Sequence, residues 1–239
     1  MADATELRTI EGLFSFLDQF DDQEQLLFRG QREDKPLLPK IARPSLIPQD
    51  NIRDIERQLL KDFKRTAVPH IGREMGSNWD WLALAQHHGL PTRLLDWTRN
   101  PLAALWFAVS EPARDGSIAV IWAFKPTEDD VLQHEKYDPF DVSRTQVFQP
   151  RHLTPRIVAQ SGAFTVHAYF CDYGGFVAFE NNALIGGHLQ KLLIPPECFS
   201  AIRYGLDRCE INAATMFPDL DGLSRHIQWS RTRLSDEVD

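Results

Sequence analysis

The hydrophobic positions of this chain follow helical spacing in some stretches and form short apolar runs in others. Apolar residues recur every three or four positions in six stretches, which predicts helices. The predicted helices are 5–20, 51–63, 78–86, 102–109, 196–206 and 220–229. Compact apolar runs bounded by polar or turn residues predict strands. The predicted strands are 25–31, 92–97, 116–124, 156–159, 163–167 and 190–194.

This mixture of helices and strands predicts an α+β fold with a single domain over 1–239. The core is expected over 25–230, with the N-terminal helix of 4–20 packed on it. Hydrophobic residues make up 43% of the chain, which is ordinary for a protein that buries a core. Because no Gly/Ser-rich or highly charged linker divides the sequence, one domain is preferred over two.

Charge and cysteine content limit the expected binding partners and the expected cellular location. The formal net charge of -8 argues against a broad basic footprint for gripping a duplex. The three cysteines lack a C-x-x-C spacing and come without a recognisable signal peptide, so reduced thiols in the cytoplasm are expected. No apolar run approaches the roughly 20 residues that span a bilayer, so no membrane association is predicted.

The densest group of chemically able side chains lies in 86–101, between two predicted helices. His88, Arg93, Asp96 and Asn100 flank or end the strand predicted there, and polar groups at strand ends often face a cleft. Asn100 with Pro101 also has the pattern of an N-cap and first helical residue. The stretch therefore predicts both a cleft wall and the start of a helix.

A second polar group follows an apolar run at Phe28-Arg29-Gly30-Gln31. Arg29 offers a planar fork to a phosphate or carboxylate, and Gly30 would let the backbone approach a ligand closely. Alternatively, Arg29 pairs with the acidic turn at 21–24. The proline-rich segment 35–49 is expected to wrap the surface and to carry Arg43 inward or along the rim of a cleft.

Several of these residues also have structural interpretations. Asp96 could form an ion pair with Arg29 or Arg93 that staples two strands. His87 and His88 could be one packed and one exposed ring at a helix end. Gln160 and the serine after it could simply form a hairpin turn. The sequence alone leaves these alternatives open.

Four motifs in order resemble the FRG domain family, named for its Phe-Arg-Gly signature. They are 28–31, 86–101 with the helix residues 104–108, 160–164, and 217–222. The resemblance extends from about residue 25 to residue 230. The family is described as a domain of unknown function, so membership by itself implies no reaction.

The same chain is similar, more faintly, to ADP-ribosyltransferase-like folds. The similarity rests on the aromatic-Arg-Gly signature at 28–30, on 95–98 with 104–108, and on the strand 192–196 that ends in prolines. It implies a split, mostly antiparallel sheet flanked by helices, with NAD as substrate. The NAD-binding residues it implies are Phe28, Arg29, Gly30, Gln31, Arg93, Thr98 and Asn100. The catalytic candidates are Arg29, His88, Asp96 and Gln160.

One departure from that pattern concerns the catalytic glutamate expected before the last strand. Residues 188–191 are His-Leu-Gln-Lys, so the glutamate is missing there. Asp96 is the best acidic substitute, Gln160 is a neutral one, and Glu180 is a distant third.

The first functional hypothesis is an NAD-dependent ADP-ribosyltransferase or NAD-cleaving, toxin-like enzyme. It would act on nucleic acid or protein in bacterial conflict or phage defence, under control of a regulatory partner or antitoxin. The alternative is a non-catalytic module that senses a nucleotide or nucleic acid. A metal-dependent nuclease comes third, because no second carboxylate stands at ligand spacing and no metal site is predicted. Hydrolase G-x-S-x-G and phosphate-loop motifs are absent from the sequence.

Overall fold

The computed structural model describes residues 4–21, 25–43, 52–71, 75–133, 137–150, 160–171, 174–185 and 187–237. The α-helices in these ranges are α1 (Ile10–Leu17), α2 (Ile52–Ala67), α3 (Asn78–His87), α4 (Pro101–Val109), α5 (Phe199–Arg208), α6 (Ala213–Met216) and α7 (Leu220–Arg231). The strands are β1 (Ala4–Glu6), β2 (Leu27–Gln31), β3 (Leu94–Thr98), β4 (Ala119–Lys125), β5 (Gln146–Phe148), β6 (Gly162–Val166), β7 (Tyr169–Phe170), β8 (Gly175–Phe176) and β9 (His188–Ile194).

Seven of these strands form one sheet in the order β1-β9-β4-β2-β3-β6-β5, and β7 pairs with β8 separately. Strands β1 and β9 run parallel, and the other neighbours in the sheet run antiparallel. The predicted α+β class, with a mostly antiparallel sheet flanked by helices, is confirmed.

The sheet opens between β2 and β3. Strand β2 pairs with β4 along its whole length, from Leu27 to Gln31. It pairs with β3 only where Phe28 lies opposite Thr98. The sheet therefore divides into a half made of β1, β9, β4 and β2 and a half made of β3, β6 and β5, joined at this fork.

The two halves pack against different helices. The first half buries Phe28 and Leu192 against α1, α4 and α5. The second half buries Leu94 and Phe164 against α2 and α3. The helices are thus divided between the two halves of the sheet.

A third apolar cluster takes residues from both halves and holds them together. Trp97 of β3 lies 5.8 Å from Phe124 of β4 and 5.3 Å from Phe179, measured between ring centroids. Because all three rings are buried, they contribute on the order of 1.5–3 kcal/mol each by removal of apolar surface from water.

The helix starts on either side of β3 follow the capping rules. Ser77 accepts a hydrogen bond from the Asp80 amide at the start of α3. Asn100 accepts from the amides of Leu102 and Ala103, and Pro101 is the first residue of α4. The predicted cap and start of this helix are confirmed.

The N-terminal prediction is partly wrong. Residues 4–6 form strand β1 rather than a helix, and α1 begins only at Ile10, capped by Thr9. The edge of β9 would otherwise leave backbone groups unpaired. Strand β1 satisfies them, and the Leu7 amide continues the pairing to the Leu193 carbonyl at 2.7 Å.

Two predictions about 156–167 have different outcomes. The strand predicted over 156–159 lies outside the described residues. Gln160 and Ser161 form a turn, with Ser161 at φ 47°, and β6 follows from Gly162. The predicted turn and following strand are confirmed. Nothing in the structure tests the single-domain assignment, which stays a prediction.

Candidate functional site

A cleft of about 1070 Å³ lies at the fork between β2 and β3. Its walls are formed by β2 and the segment that follows it, the second half of β3, the C-terminal end of α3, and Phe107 of α4. The side chains and backbone segments that line it belong to Phe28, Arg29, Gly30, Gln31, Arg32, Glu33, Lys35, Pro36, Leu38, Arg43, Gln86, His87, Gly89, Asp96, Trp97, Thr98, Phe107 and Gln160.

The Phe-Arg-Gly signature builds the floor of this cleft through packing. A Cβ on Gly30 would lie 1.9 Å from the Ala104 carbonyl oxygen and 2.9 Å from the Ala108 nitrogen. Gly30 is therefore required by the close approach of α4 to β2, and it also lines the cleft. Phe28 points to the same side and is buried in the core with Leu105. Because β2 alternates, Arg29 points away from this core.

Arg29 bridges the fork. Its Nη1 donates to the Asp96 backbone carbonyl at 2.7 Å and lies 3.7 Å from the Asp96 Oδ2. The side chain is 15% exposed, and its buried Nε has no hydrogen-bond partner among the described residues. Burial lowers the pKa of Arg29, Asp96 opposes that shift, and nearby Arg43 adds to it. The guanidinium is thus fixed at one end while Nε remains without a hydrogen bond.

Asp96 is the more exposed of the two carboxylates that line the cleft. Its side chain is 56% exposed although it sits in a largely buried strand. Gln86 Nε2 donates to Asp96 Oδ2 at 2.9 Å. Arg29 and Asp96, far apart in sequence, therefore meet beside open space rather than in a closed ionic cluster.

The cleft carries an excess of positive charge. Four cationic residues and two acidic residues line it, a difference of 4 − 2 = 2 in a chain whose net charge is -8. These residues are Arg29, Arg32, Lys35, Arg43, Glu33 and Asp96. The local charge favours an anionic ligand.

Ion pairs neutralise part of that charge. Arg32 pairs with Glu111 at 2.5 Å and Lys35 with Glu33 at 2.7 Å. The hydrogen bond from Lys35 lowers the pKa of Glu33 against the effect of burial. Arg43 contacts no carboxylate among the described residues, and its Nη2 donates to the Leu38 carbonyl at 3.4 Å. The prediction that Arg43 lies along a cleft is confirmed.

The prediction that Arg93 lines the cleft is wrong. Arg93 is 1% exposed, and its Nη2 lies 2.7 Å from the equally buried Glu56 Oε2 of α2. Its Nη1 donates to the carbonyls of Pro139 and Phe140. Every edge of the guanidinium thus has a partner inside the protein, and a dinucleotide has no access to it.

Three further candidates have structural partners. Thr98 donates to the Gln160 carbonyl at 2.5 Å and accepts from the Asn100 amide. Gln160 Nε2 donates to the Met216 carbonyl at 3.0 Å. Thr98 and Gln160 line the cleft, whereas Asn100 serves as the cap of α4 and does not.

The two histidines at the end of α3 lie in different environments. His88 is exposed and is the C-cap residue, whereas His87 lies in the cleft wall. Their rings meet edge to face with centroids 5.0 Å apart. His87 therefore lies beside the cleft, and the prediction that His88 lines the cleft is wrong. Gln31 does line the cleft, where its Oε1 accepts from Trp122 Nε1 at 2.8 Å.

Three residues that line the cleft are not predicted from the sequence: Gln86, Lys35 and Phe107. Gln86 stands at the start of the densest motif, one residue before the end of α3, and this position is the available signal. Lys35 begins the irregular proline-rich segment, whose path the hydrophobic pattern does not specify.

The described residues also bear on other classes of function. Among them, no group of three His, Cys, Asp or Glu side chains is arranged to hold a metal ion. None of the helices in the described ranges combines the length and apolar character needed to cross a bilayer.

Comparison with known proteins supports the family resemblance. Residues 24–117 match the FRG domain, which covers the Phe-Arg-Gly signature, β3 and α4. The motifs at 160–164 and 217–222 lie beyond the matched residues. No curated protein matches the chain, and no solved structure does. Over residues 24–117, the chain is therefore similar to the FRG domain family.

Proposed function

We propose that this protein binds NAD in the cleft at the fork and transfers its ADP-ribose to a nucleic acid or protein. The observation that carries the proposal is the meeting of Arg29 and Asp96 beside a large open cleft with excess positive charge. A split, mostly antiparallel sheet with an aromatic-Arg-Gly signature at its fork is also what the ADP-ribosyltransferase-like resemblance implies.

Arg29 and Arg43 are proposed to hold the diphosphate. Arg43 is near enough to Arg29 to lower its pKa, and Arg43 pairs with no described carboxylate, so it adds positive charge beside the Arg29–Asp96 pair. A diphosphate between them would relieve that repulsion. Charge-assisted hydrogen bonds contribute about 1.5–3 kcal/mol each, so the two residues supply a substantial part of dinucleotide affinity.

Asp96 is proposed to stabilise the reacting ribose. When the bond between nicotinamide and ribose C1 breaks, its electron pair leaves with nicotinamide and positive charge develops on the sugar. A carboxylate beside the ribose stabilises that charge and accepts a hydrogen bond from a ribose hydroxyl. The acceptor's nucleophile then bonds to C1 and loses its proton.

Other carboxylates fit this role less well. Glu180 Oε2 accepts from the Leu37 amide at 3.1 Å and does not line the cleft. Glu33 lines the cleft, but Lys35 and Arg114 both pair with it. On β9, where the resemblance places the glutamate, residues 188–191 are His-Leu-Gln-Lys, and Lys191 pairs with Asp34 at 2.6 Å.

That missing glutamate favours a second candidate, a module that binds a nucleotide or nucleic acid and performs no chemistry. The two candidates share the anion-binding cleft and differ in whether Asp96 reacts with bound NAD. Binding without turnover is the property that would distinguish the second.

The test measures nicotinamide release from NAD by chromatography, with and without RNA, DNA and cell lysate. The proposal predicts release by the wild type, a loss of about 100-fold in Asp96→Asn, and a loss of about 10-fold or more in Arg29→Ala. Arg231→Ala is the matched control, because Arg231 is exposed on α7 away from the cleft.

Calorimetry with NAD separates the remaining outcomes. NAD binding that Arg29→Ala abolishes, without nicotinamide release under any condition, supports the sensing module. Release that is equal in the wild type, Asp96→Asn and Arg29→Ala contradicts the proposed site. Cleavage of RNA or DNA that chelation abolishes would instead indicate a metal-dependent nuclease.

A further inference from the structure

A short chain of hydrogen bonds behind the cleft ends on Asp96. The Leu94 amide donates to Thr92 Oγ1 at 3.1 Å, and Thr92 Oγ1 donates to Gln86 Oε1 at 2.6 Å. Gln86 Nε2 then donates to Asp96 Oδ2 at 2.9 Å. Thr92 is 1% exposed, so solvent does not compete for its hydroxyl.

The donor-to-acceptor direction of this series of hydrogen bonds is set at both ends. The Leu94 amide can only donate, and it occupies one lone pair of the Thr92 hydroxyl, whose proton then points to Gln86 Oε1. With its oxygen held by Thr92, the Gln86 amide presents its N–H to Asp96. An ionised carboxylate accepts that bond, whereas the opposite amide orientation would place two oxygens together.

Asp96 Oδ2 consequently faces two donors and Oδ1 none. Gln86 Nε2 and Arg29 Nη1 both approach Oδ2, at 2.9 Å and 3.7 Å. No described residue donates to Oδ1, and the side chain is more than half exposed. The two oxygens of one carboxylate are therefore distinguished by their surroundings.

We infer that Gln86 is a positioning residue that, with Thr92 behind it, holds Asp96 turned so that Oδ1 faces the ligand. The orientation of the carboxylate follows from the hydrogen bonds alone. The part that concerns a ligand rests on the proposed function.

The experiment follows the orientation of the Asp96 carboxylate in crystal structures of the variants, together with kcat for nicotinamide release. Gln86→Leu removes the donor and is expected to turn the carboxylate away from its wild-type orientation and to lower kcat about 10-fold. Thr92→Val frees the Gln86 amide to turn and is expected to act in the same direction by a smaller amount. Thr92→Ser keeps the hydroxyl and is expected to retain the wild-type orientation and kcat.

Gln58→Leu is the matched control. Gln58 Nε2 donates to Asp62 at 3.0 Å on the exposed face of α2, a Gln-to-Asp pair remote from the cleft. This variant is expected to leave the Asp96 orientation and nicotinamide release unchanged. Thermal unfolding of each variant separates a local effect from loss of the fold, and Thr92→Val with Thr92→Ser supplies a second comparison if Gln86→Leu fails to fold.

Steady-state kinetics of nicotinamide release gives the second measurement. In Gln86→Leu kcat is expected to fall while KM for NAD stays within about twofold, because Arg29 is retained. A turned Asp96 carboxylate in Gln86→Leu, without release in any variant, wild type included, supports the positioning role and contradicts the proposed reaction. An Asp96 carboxylate that keeps one orientation in Gln86→Leu, Thr92→Val and the wild type overturns the inference.

Discussion

Gly30 and Arg29 are neighbours in one signature, yet different forces specify them. Gly30 lacks a side chain because the α4 backbone occupies that space, and Arg29 is directed into the fork because strand side chains alternate. A signature of this kind therefore combines a requirement of packing with a requirement of charge. Only the second is expected to affect ligand binding directly.

The packing requirement predicts that Gly30→Ala lowers the free energy of unfolding by about 2 kcal/mol or more, because the added Cβ must displace the α4 backbone. Urea denaturation measures this loss. Gly175→Ala is the control, since a Cβ there meets nothing within 4 Å and the backbone φ is ordinary. Equal stability of Gly30→Ala and the wild type would show that α4 does not approach β2 so closely.

His167 predicts a pH dependence of stability. It is fully buried, and burial lowers its pKa from 6.5 to about 3, with Arg29 and Arg93 contributing. Between those values the unfolded chain binds more protons than the folded one, so stability is lost as pH falls through this window. The slope approaches about 1.4 kcal/mol per pH unit.

The measurement is urea denaturation of the wild type and His167→Gln at pH 7 and pH 5. The wild type is expected to lose more stability between these two pH values than the variant, because glutamine does not titrate. Parallel losses in both proteins would mean that His167 is protonated in the folded state.

Strand β3 is anchored from behind by the Arg93–Glu56 ion pair. Glu56 accepts from both the backbone and the side chain of Arg93, which ties α2 to the residue just before β3. Asp96 lies three residues further on. The ion pair therefore belongs to the support of the cleft rather than to its surface.

Breaking this pair is expected to be costly. Glu56→Ala leaves a buried guanidinium without its carboxylate, which predicts a loss of about 3–5 kcal/mol in the free energy of unfolding. The double variant Glu56→Leu with Arg93→Met removes both charges and is expected to recover most of that loss. Chemical denaturation measures both. A single variant that costs less than about 1 kcal/mol would contradict a fully buried pair.

The elements near β3 were largely predictable because their signals are local. The caps and apolar spacing of α3 and α4 lie within a few residues of the helices they define. The partner of Arg93 was not predictable in this way, because Glu56 precedes it by 37 positions on a separate helix. The strand at residues 4–6 is not predictable for the same reason: it forms by pairing with β9, which lies near the other end of the chain.

Across the molecule, the charge of the cleft differs in sign from the charge of the chain. The sequence total of -8 argues against a broad basic surface, and it gives no indication that four cations gather at one fork. The sequence predicts a ligand-facing role for the motif with Asp96 and for the signature with Arg29. It does not predict that Arg29 and Asp96 meet, because their contact depends on how the two halves of the sheet are joined.

We propose that the fork between β2 and β3 is a dinucleotide site, and a crystal structure of the wild-type protein soaked with ADP-ribose is the decisive measurement. A dinucleotide site here predicts diphosphate oxygens within about 3 Å of the Arg29 guanidinium and a ribose hydroxyl within about 3 Å of Asp96 Oδ1. ADP-ribose bound elsewhere, or bound in the cleft without contact to either residue, would contradict it.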